Sequence, residues 1–393
     1  MYSQYTVLPK HLSYSLVFSV KPASVSSLWF FLHTFPDPRR KQGTRHELPI
    51  ILVLALLALC CGYTSYQAMH EWSVNYQELL LEQCSFLAGH TPDAATFYRV
   101  FSRLDVETFE EILGNWLQTI MPLEVGEGIA IDGKTIRGTG VHLVSAFTHK
   151  LQAVLFEKGT DVKGKELVIG PEVIEHIPVK DHIITGDAMF AQKKICEQIT
   201  GRGGGYVLTV KGNQEILEEH IRLFFKDVPF QAHVETNVMI DWWKGRREKR
   251  TVRMSEDQQV LLYLAWPGIT HIWECTREVV KNGTTTKEVA VGIASLLPSH
   301  NTADQLNRYI REHWSIENGL HRTRDVVFHE DKATIRNKSS AQIMAALKNI
   351  VISILHRATV RAIPTAARRF AAHPEELFQF LGLTEVQKSY VHA

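Results

Sequence analysis

No apolar run in this chain reaches the roughly 18 to 20 residues that a membrane-spanning helix needs. The longest, Leu48 to Tyr63 (LPIILVLALLALCCGY), stops short and reads as a buried core helix, so no membrane partner is expected. Cysteine is scarce: the 5 residues, at 60, 61, 84, 196 and 275, are odd in number and form neither a CxxC pair nor a Cys/His zinc spacing. That excludes a disulfide scaffold and a structural zinc, and it points to a reducing compartment, with the cytoplasm as the default. An excess of one charge is missing too, since 43 Lys+Arg face 42 Asp+Glu and leave a formal net charge of +1. Any binding of nucleic acid must then rely on local basic patches. The chain has no internal repeat and no low-complexity tract, and its 45% hydrophobic content excludes intrinsic disorder. LSYSLVFSVKPASVSS is too short and too broken by serines for a secretory signal.

What is present divides the 393 residues into several parts, as expected for a chain too long for one core. Residues 1–27 show no clear period and read as an extension. Residues 28–122 are helical, with a stop and restart at GHTPDAATFYRVFSRLD, where Thr91 can cap a helix opened by Pro92. From residue 123 the character changes to short β-branched runs separated by glycines, among them GIAIDGKTIRG, HIITGDAMF and GGGYVLTVKGN, with an amphipathic AQKKICEQI between them. This is the pattern of an α/β layer over 123–220, resumed at 298–360 by TADQLNRYIREHWSIENGLHRTRD, with Thr302 as cap, and by SSAQIMAALKNIVISILHRA. Between them, 221–297 is read as a β-rich insertion, QQVLLYLAWPG included, with turns at Pro267-Gly268 and Asn282-Gly283. Pro364 interrupts the helical pattern near the C-terminus and leaves 361–393 as a tail.

Three carboxylates stand out by position. Asp132 ends the strand IAI, Asp187 follows the strand HIIT by one glycine, and Glu317 lies within a helix. Open α/β sheets place ligands at the carboxyl ends of their strands. Two such strands with a helix across them would gather three hard oxygen donors, a set suited to Mg²⁺ or Mn²⁺. Two such ions about 4 Å apart can serve phosphoryl transfer. GIAIDGKT also satisfies the G-x-x-x-x-G-K-T pattern, but a phosphate loop must follow a strand and open a helix, and here the strand lies inside the pattern. Lys134 and Arg137 instead set positive charge beside Asp132. In KGRREKRTVR, Lys244, Arg246, Arg247, Lys249, Arg250 and Arg253 come after Trp242 and Trp243, a composition able to track a phosphate backbone and stack a base. PDPRRKQGTRH, at 36–46, is a second basic loop.

IAIDGKTIRG, GDAMFAQKKI with YVLTVKGNQ after it, and REHWSIENGLHRTRDVVFHED resemble, in order and wording, the H-repeat-associated type of bacterial insertion-sequence transposase of the DDE superfamily. DPRRKQGTRHELPIILVLALLALCCGYTSYQAMHEW and TPDAATFYRVFSRLD resemble its associated N-terminal domain, so the likeness spans roughly 30–360. The resemblance implies an α/β, RNase H-like catalytic core interrupted by a β-rich insertion and preceded by a helical domain. It also implies Asp132, Asp187 and Glu317 as catalytic and metal-binding triad for two Mg²⁺ or Mn²⁺ ions. The expected partners are double-stranded DNA, as terminal inverted repeats and target, and further copies of the chain assembled on that DNA. Lys134, Arg137, Lys211, Asn213, Lys244, Arg246, Arg247, Lys249, Arg250 and Arg324 are the expected DNA contacts. The interval from Asp187 to Glu317 far exceeds a strand–helix–strand unit of roughly 30 residues, which fits an interrupted core. Near the third carboxylate, Arg322 and Arg324 stand where this subfamily commonly has Trp and Leu, which leaves a catalytically silent DNA-binding protein as the alternative.

Overall fold

A computed structural model describes residues 26–381 and 383, apart from 43, 84–88, 161, 163–165, 244 and 359–361. The expected extension, up to residue 25, lies outside the described residues.

Six helices open the described chain: α1 (Ser26–Leu32), α2 (Leu48–Cys60), α3 (Tyr66–Asn75), α4 (Gln77–Gln83), α5 (Ala94–Phe101) and α6 (Val106–Ile120). A helix apolar on every side must be surrounded. Accordingly every residue of α2 but Pro49 is buried, and no helix among the described residues is long and apolar enough to cross a membrane. The restart after residue 90 comes slightly later than Thr91 suggests: Asp93 is the cap of α5, its Oδ1 accepting from Thr96 N–H at 2.6 Å. Asp105 caps α6 in the same way.

The strands form one mixed sheet in the order β3-β2-β1-β4-β5-β9-β8-β7-β6. The first half comprises β1 (Gly128–Ile136), β2 (Val141–Thr148), β3 (Val154–Thr160), β4 (Ile183–Gly186) and β5 (Gly205–Val210), with α7 (Glu166–Glu175) and α8 (Lys193–Gly201) in the crossovers. β2 runs antiparallel to both β1 and β3, whereas β4 and β5 lie parallel to β1. GIAIDGKT is therefore strand through its whole length, which removes the phosphate-loop reading. After α9 (Glu215–Lys226) come β6 (Glu235–Trp243), β7 (Arg246–Ser255), β8 (His271–Lys281) and β9 (Thr284–Ser295). These strands do occupy the gap before Glu317. They are not a separate sheet, because β9 pairs with β5 and extends the first half edge to edge. QQVLLYL, expected as strand, is the helix α10 (Gln258–Leu264), started by Asp257, whose carboxylate accepts from two backbone N–H groups.

Strand alternation sorts the side chains to two faces. On one face Ile129, Ile131, Val144 and Ile184 pack under α7, α8 and α9. On the other lie Ala130, Phe147 and Val154, covered by α13 (Lys338–Arg357) and the N-terminal helices, and Ile183 and Val207, covered by α11 (Ala303–His313). α11 starts with the expected Thr302 cap, closed reciprocally by Gln305. A π-helical turn, Ile316–His321, leads from it into α12 (Arg322–Val326). α6 crosses β3 closely enough that a Cβ on Gly114 would lie 2.5 Å from the Phe156 ring. The C-terminal segment is not an open tail. Pro364 sits in the first turn of α14 (Ile363–Ala372), and α14 and α15 (Pro374–Phe380) bury Phe370, Leu377 and Phe378 in the core of the N-terminal helices.

Candidate active site

Asp132 is not at the end of β1 but in its middle; what ends there is the parallel pairing with β4, whose last register pair is Ile131 with Gly186. Asp132 and Asp187 are thus the next positions along two adjacent parallel strands. Alternation puts Asp132 on the face of Ala130, toward the helices that come after Thr302. There the π-helical turn presents Glu317 while sinking Ile316 and Leu320 into the core. Arg322 N–H closes the turn on the Glu317 carbonyl, and π turns of this kind are frequent at functional sites.

The same turn delivers a residue that the sequence pattern did not single out. His321 Nδ1 lies 3.5 Å from Asp132 Oδ2 and 3.8 Å from Glu317 Oε2, and ligand atoms of these three residues all fall within 4.8 Å of one another. The signal was available, since His321 is four residues after Glu317 and shares its helix face. His313, four residues before Glu317, bonds Thr185 Oγ1 at 3.0 Å, and burial pushes its pKa down to about 3. Asp187 Oδ1 accepts from Met189 N–H at 3.0 Å and caps the short turn Ala188–Phe190.

Electrostatically the site is short of positive charge. Burial, with Glu317 and Asp187 close by, pushes the Asp132 carboxyl up to about 7, against a bond from Gly133 N–H. Burial also raises Asp187, while Lys211 acts to lower it. Glu317 is more open, and a bond to His321 holds it below its usual value. Burial thus acts most strongly against the charged form at Asp132. Crowded carboxylates with one imidazole, whose Nε2 is buried without a partner among the described residues, make a donor set that fits a divalent cation of the Mg²⁺ or Mn²⁺ kind.

The expected DNA contacts separate into several groups. Arg324 is wholly buried, bonded to Glu157 at 2.7 Å and to Glu330 at 2.8 Å, so its guanidinium cannot reach DNA; it is a core residue. Arg250 is buried on Glu248 as well, and Lys134 is committed to Asp325 at 2.7 Å with only 9% of its side chain exposed. Burial thus turns Arg324 and Arg250 from expected DNA contacts into interior ion pairs. Arg246 shares Glu248, and Arg253 is bonded to Glu274 at 2.6 Å, so interior acids neutralise much of the ribbon's charge. Arg247 packs 5.7 Å from the Trp242 ring, and Lys249 is half-buried. Arg137 is largely exposed beside Asp331, and Lys211 is exposed. Asn213 braces instead of reaching outward: its Nδ2 donates to Ala188 O at 2.5 Å, and Gln214 Nε2 donates to Ala191 O at 3.1 Å, which ties the KGNQ motif to the loop after Asp187. Lys244 lies outside the described residues.

Alternation in the β6–β7 ribbon turns Trp243, Arg246, Glu248 and Arg250 to the face where α11 crosses, with Arg311 bonded to Asp241 at 3.0 Å. Between ribbon and helix is an open cleft of about 660 Å³, lined by these residues with Arg277, Arg322, Trp314 and Asn318. Asn318 adjoins Glu317, so the cleft reaches the helical turn of the carboxylate site.

Residues 124–354 match the family described as Transposase DDE domain, and residues 29–117 match the DDE_Tnp_1-associated family. The chain is 30% identical over 84% of its length to the protein named "Putative transposase YncI" of Escherichia coli O157:H7, and spans 88% of that relative. It is 29% identical over 81% of its length to "H repeat-associated putative transposase YhhI" of Escherichia coli K12, again spanning 88% of it. A carboxylate site where the pairing of two parallel strands stops, completed by a helical turn from beyond β6 to β9, thus occurs in a chain matched along most of its length, and the protein belongs to the DDE transposase family.

Proposed function

We propose that the protein is an insertion-sequence transposase that binds transposon ends and cuts and joins DNA by phosphoryl transfer at Asp132, Asp187 and Glu317. The observation that carries this is the convergence of Asp132 and Glu317, far apart in sequence, beside the register position of Asp187. In this reading 123–220 and 298–360 form an RNase H-like catalytic domain, 28–122 the helical domain and 221–297 the insertion. Asp132, Asp187 and Glu317 would hold two Mg²⁺ or Mn²⁺ ions, which when bound polarise phosphate oxygens and lower the pKa of a coordinated water.

The chain's own residues do the rest. Asn213 and Gln214 fix the loop that carries Asp187. Lys211 and Arg137 offer exposed charge to the phosphates of an end, and the exposed Arg311 and Arg322 of the ribbon cleft with Trp243 and Trp314 can hold the strand leading away from the site. Phosphoryl transfer depends on positioning and charge neutralisation, so no covalent enzyme intermediate is required. The buried Arg324 removes one of the two features behind the catalytically silent alternative, because it is ion-paired to Glu157 and Glu330 within the core.

Asp132→Asn, Asp187→Asn and Glu317→Gln should each abolish cleavage of end DNA while gel shifts remain close to wild type. Wild-type cutting by any one of them removes that residue from the site. Binding without cleavage by the wild-type protein, at any Mg²⁺ or Mn²⁺ concentration, would establish the silent alternative.

A further inference from the structure

The second basic loop is not absorbed by the carboxylate site. It closes an open cleft of about 840 Å³ against the end of α5, sharing no lining residue with the ribbon cleft or with the carboxylates. Arg40 and Arg45 enter from the loop, Arg99 and Arg103 from the end of α5, and Asp93 is the acid among the lining residues. Arg99 lies 3.7 Å from Asp93, whereas Arg40, Arg45 and Arg103 are exposed without a carboxylate partner among the described residues. The cleft is also built. Arg39 clamps the loop, bonding Asp37 through two nitrogens at 2.8 and 2.6 Å and the His46 carbonyl at 2.8 Å. On the other wall, His70 bonds the Pro92 carbonyl at 3.0 Å. His46, only 6% exposed, lines the floor with its Nδ1 unpartnered among the described residues.

Small-molecule pockets are mostly apolar and enclosing. Here Pro38 and Val100 are the apolar lining, and there is no Phe, Tyr or Trp on which an unpaired base could stack. Guanidinium groups on two rims of an open polar groove match the phosphates of a nucleic-acid backbone. We infer that the cleft between residues 38–46 and 99–103 is a second DNA site, docking the phosphate backbone of duplex DNA away from the carboxylates. The inference rests on the transposase reading only in taking duplex DNA as the ligand.

The test measures binding of the full chain to a fluorescent duplex across a range of salt. Arg40→Ala, Arg45→Ala and Arg103→Ala combined should weaken binding on the order of a hundredfold at 0.1 M salt and reduce the slope of log affinity against log salt by about 0.9 per lost contact. The corresponding triple Lys variant should keep most of the slope. A photo-cross-linking residue at position 42, on the cleft wall, should attach to the duplex, and this arm decides alone should the Ala variant not fold. An unchanged slope in a folded Ala variant overturns the inference. So does the absence of a cross-link, or displacement of the duplex by poly-glutamate from wild type but not from the Ala variant, which would mark an acidic protein as the occupant. Wild-type cleavage of end DNA measured alongside keeps the two readings apart: its absence with the slope change intact sinks the transposase reading and leaves this cleft standing.

Discussion

At the level of single residues, the chemistry depends on how few groups are placed by how many backbone constraints. Register fixes Asp132 and Asp187 side by side, and one helical turn supplies both Glu317 and His321. His321 bridges the two carboxylates that titrate in opposite directions, with Asp132 raised and Glu317 lowered. If the imidazole is a ligand or orients one, His321→Ala should weaken Mn²⁺ binding by about 10 to 100-fold, the usual cost of losing such a partner. Calorimetric titration of Mn²⁺ into the DNA-free protein reads this directly, and an unchanged affinity would reduce His321 to a packing role.

At the level of elements, the turn that carries Glu317 is anchored by ions rather than by apolar contacts alone. Arg324 on α12 bonds Glu157 of β3 and Glu330, and Lys348 of α13 completes the set on Glu330 at 3.0 Å, all of them buried. Removing one partner strands the others, so Arg324→Met should cost about 3 to 5 kcal/mol in urea unfolding; a loss under 1 kcal/mol would show the network to be dispensable. The acid dependence has a definite sign. Against its burial, Arg324 and Lys348 hold Glu330 down at about 2, so its contribution is complete above the unfolded value of about 4.5 and is lost as pH falls toward 2. The stability gap between wild type and Glu330→Gln should therefore shrink between pH 4.5 and 2, and a constant gap would refute the pairing. None of this was legible in the sequence. Arg324 reads there as a surface cation, because nothing local shows that Glu157, on a distant strand, will meet it. Elements with local signals fared better: the buried period of α2, the Thr302 cap and the strand before Asp187 all appear as expected. QQVLLYL misled because a short apolar run fits strand or helix alike, and the Asp257 cap decided it.

At the level of the whole molecule, the parts that composition separates are physically joined. The sheet runs unbroken from β3 to β6, and one apolar core takes in α2 and α5, Phe147 of β2, Ile316 and Leu320 around Glu317, α13 and both C-terminal helices. The N-terminal helices and the Glu317 turn therefore share one core, and strain in one region must be felt in the other, since close-packed interiors leave little room to relax. Phe370 tests this, being fully buried in α14 and far along the chain from both α2 and β1. Truncating it should cost about 3 to 5 kcal/mol. If the core is one cooperative unit, calorimetry should show a single transition that Phe370→Ala lowers without splitting, and hydrogen exchange in α2 and around Ile316 should speed up together. Were the helical region an independent domain, two transitions would appear. Phe370→Ala would then shift the one belonging to α2 and leave amides near Glu317 protected as in wild type, which would sever the mechanical link between the two halves.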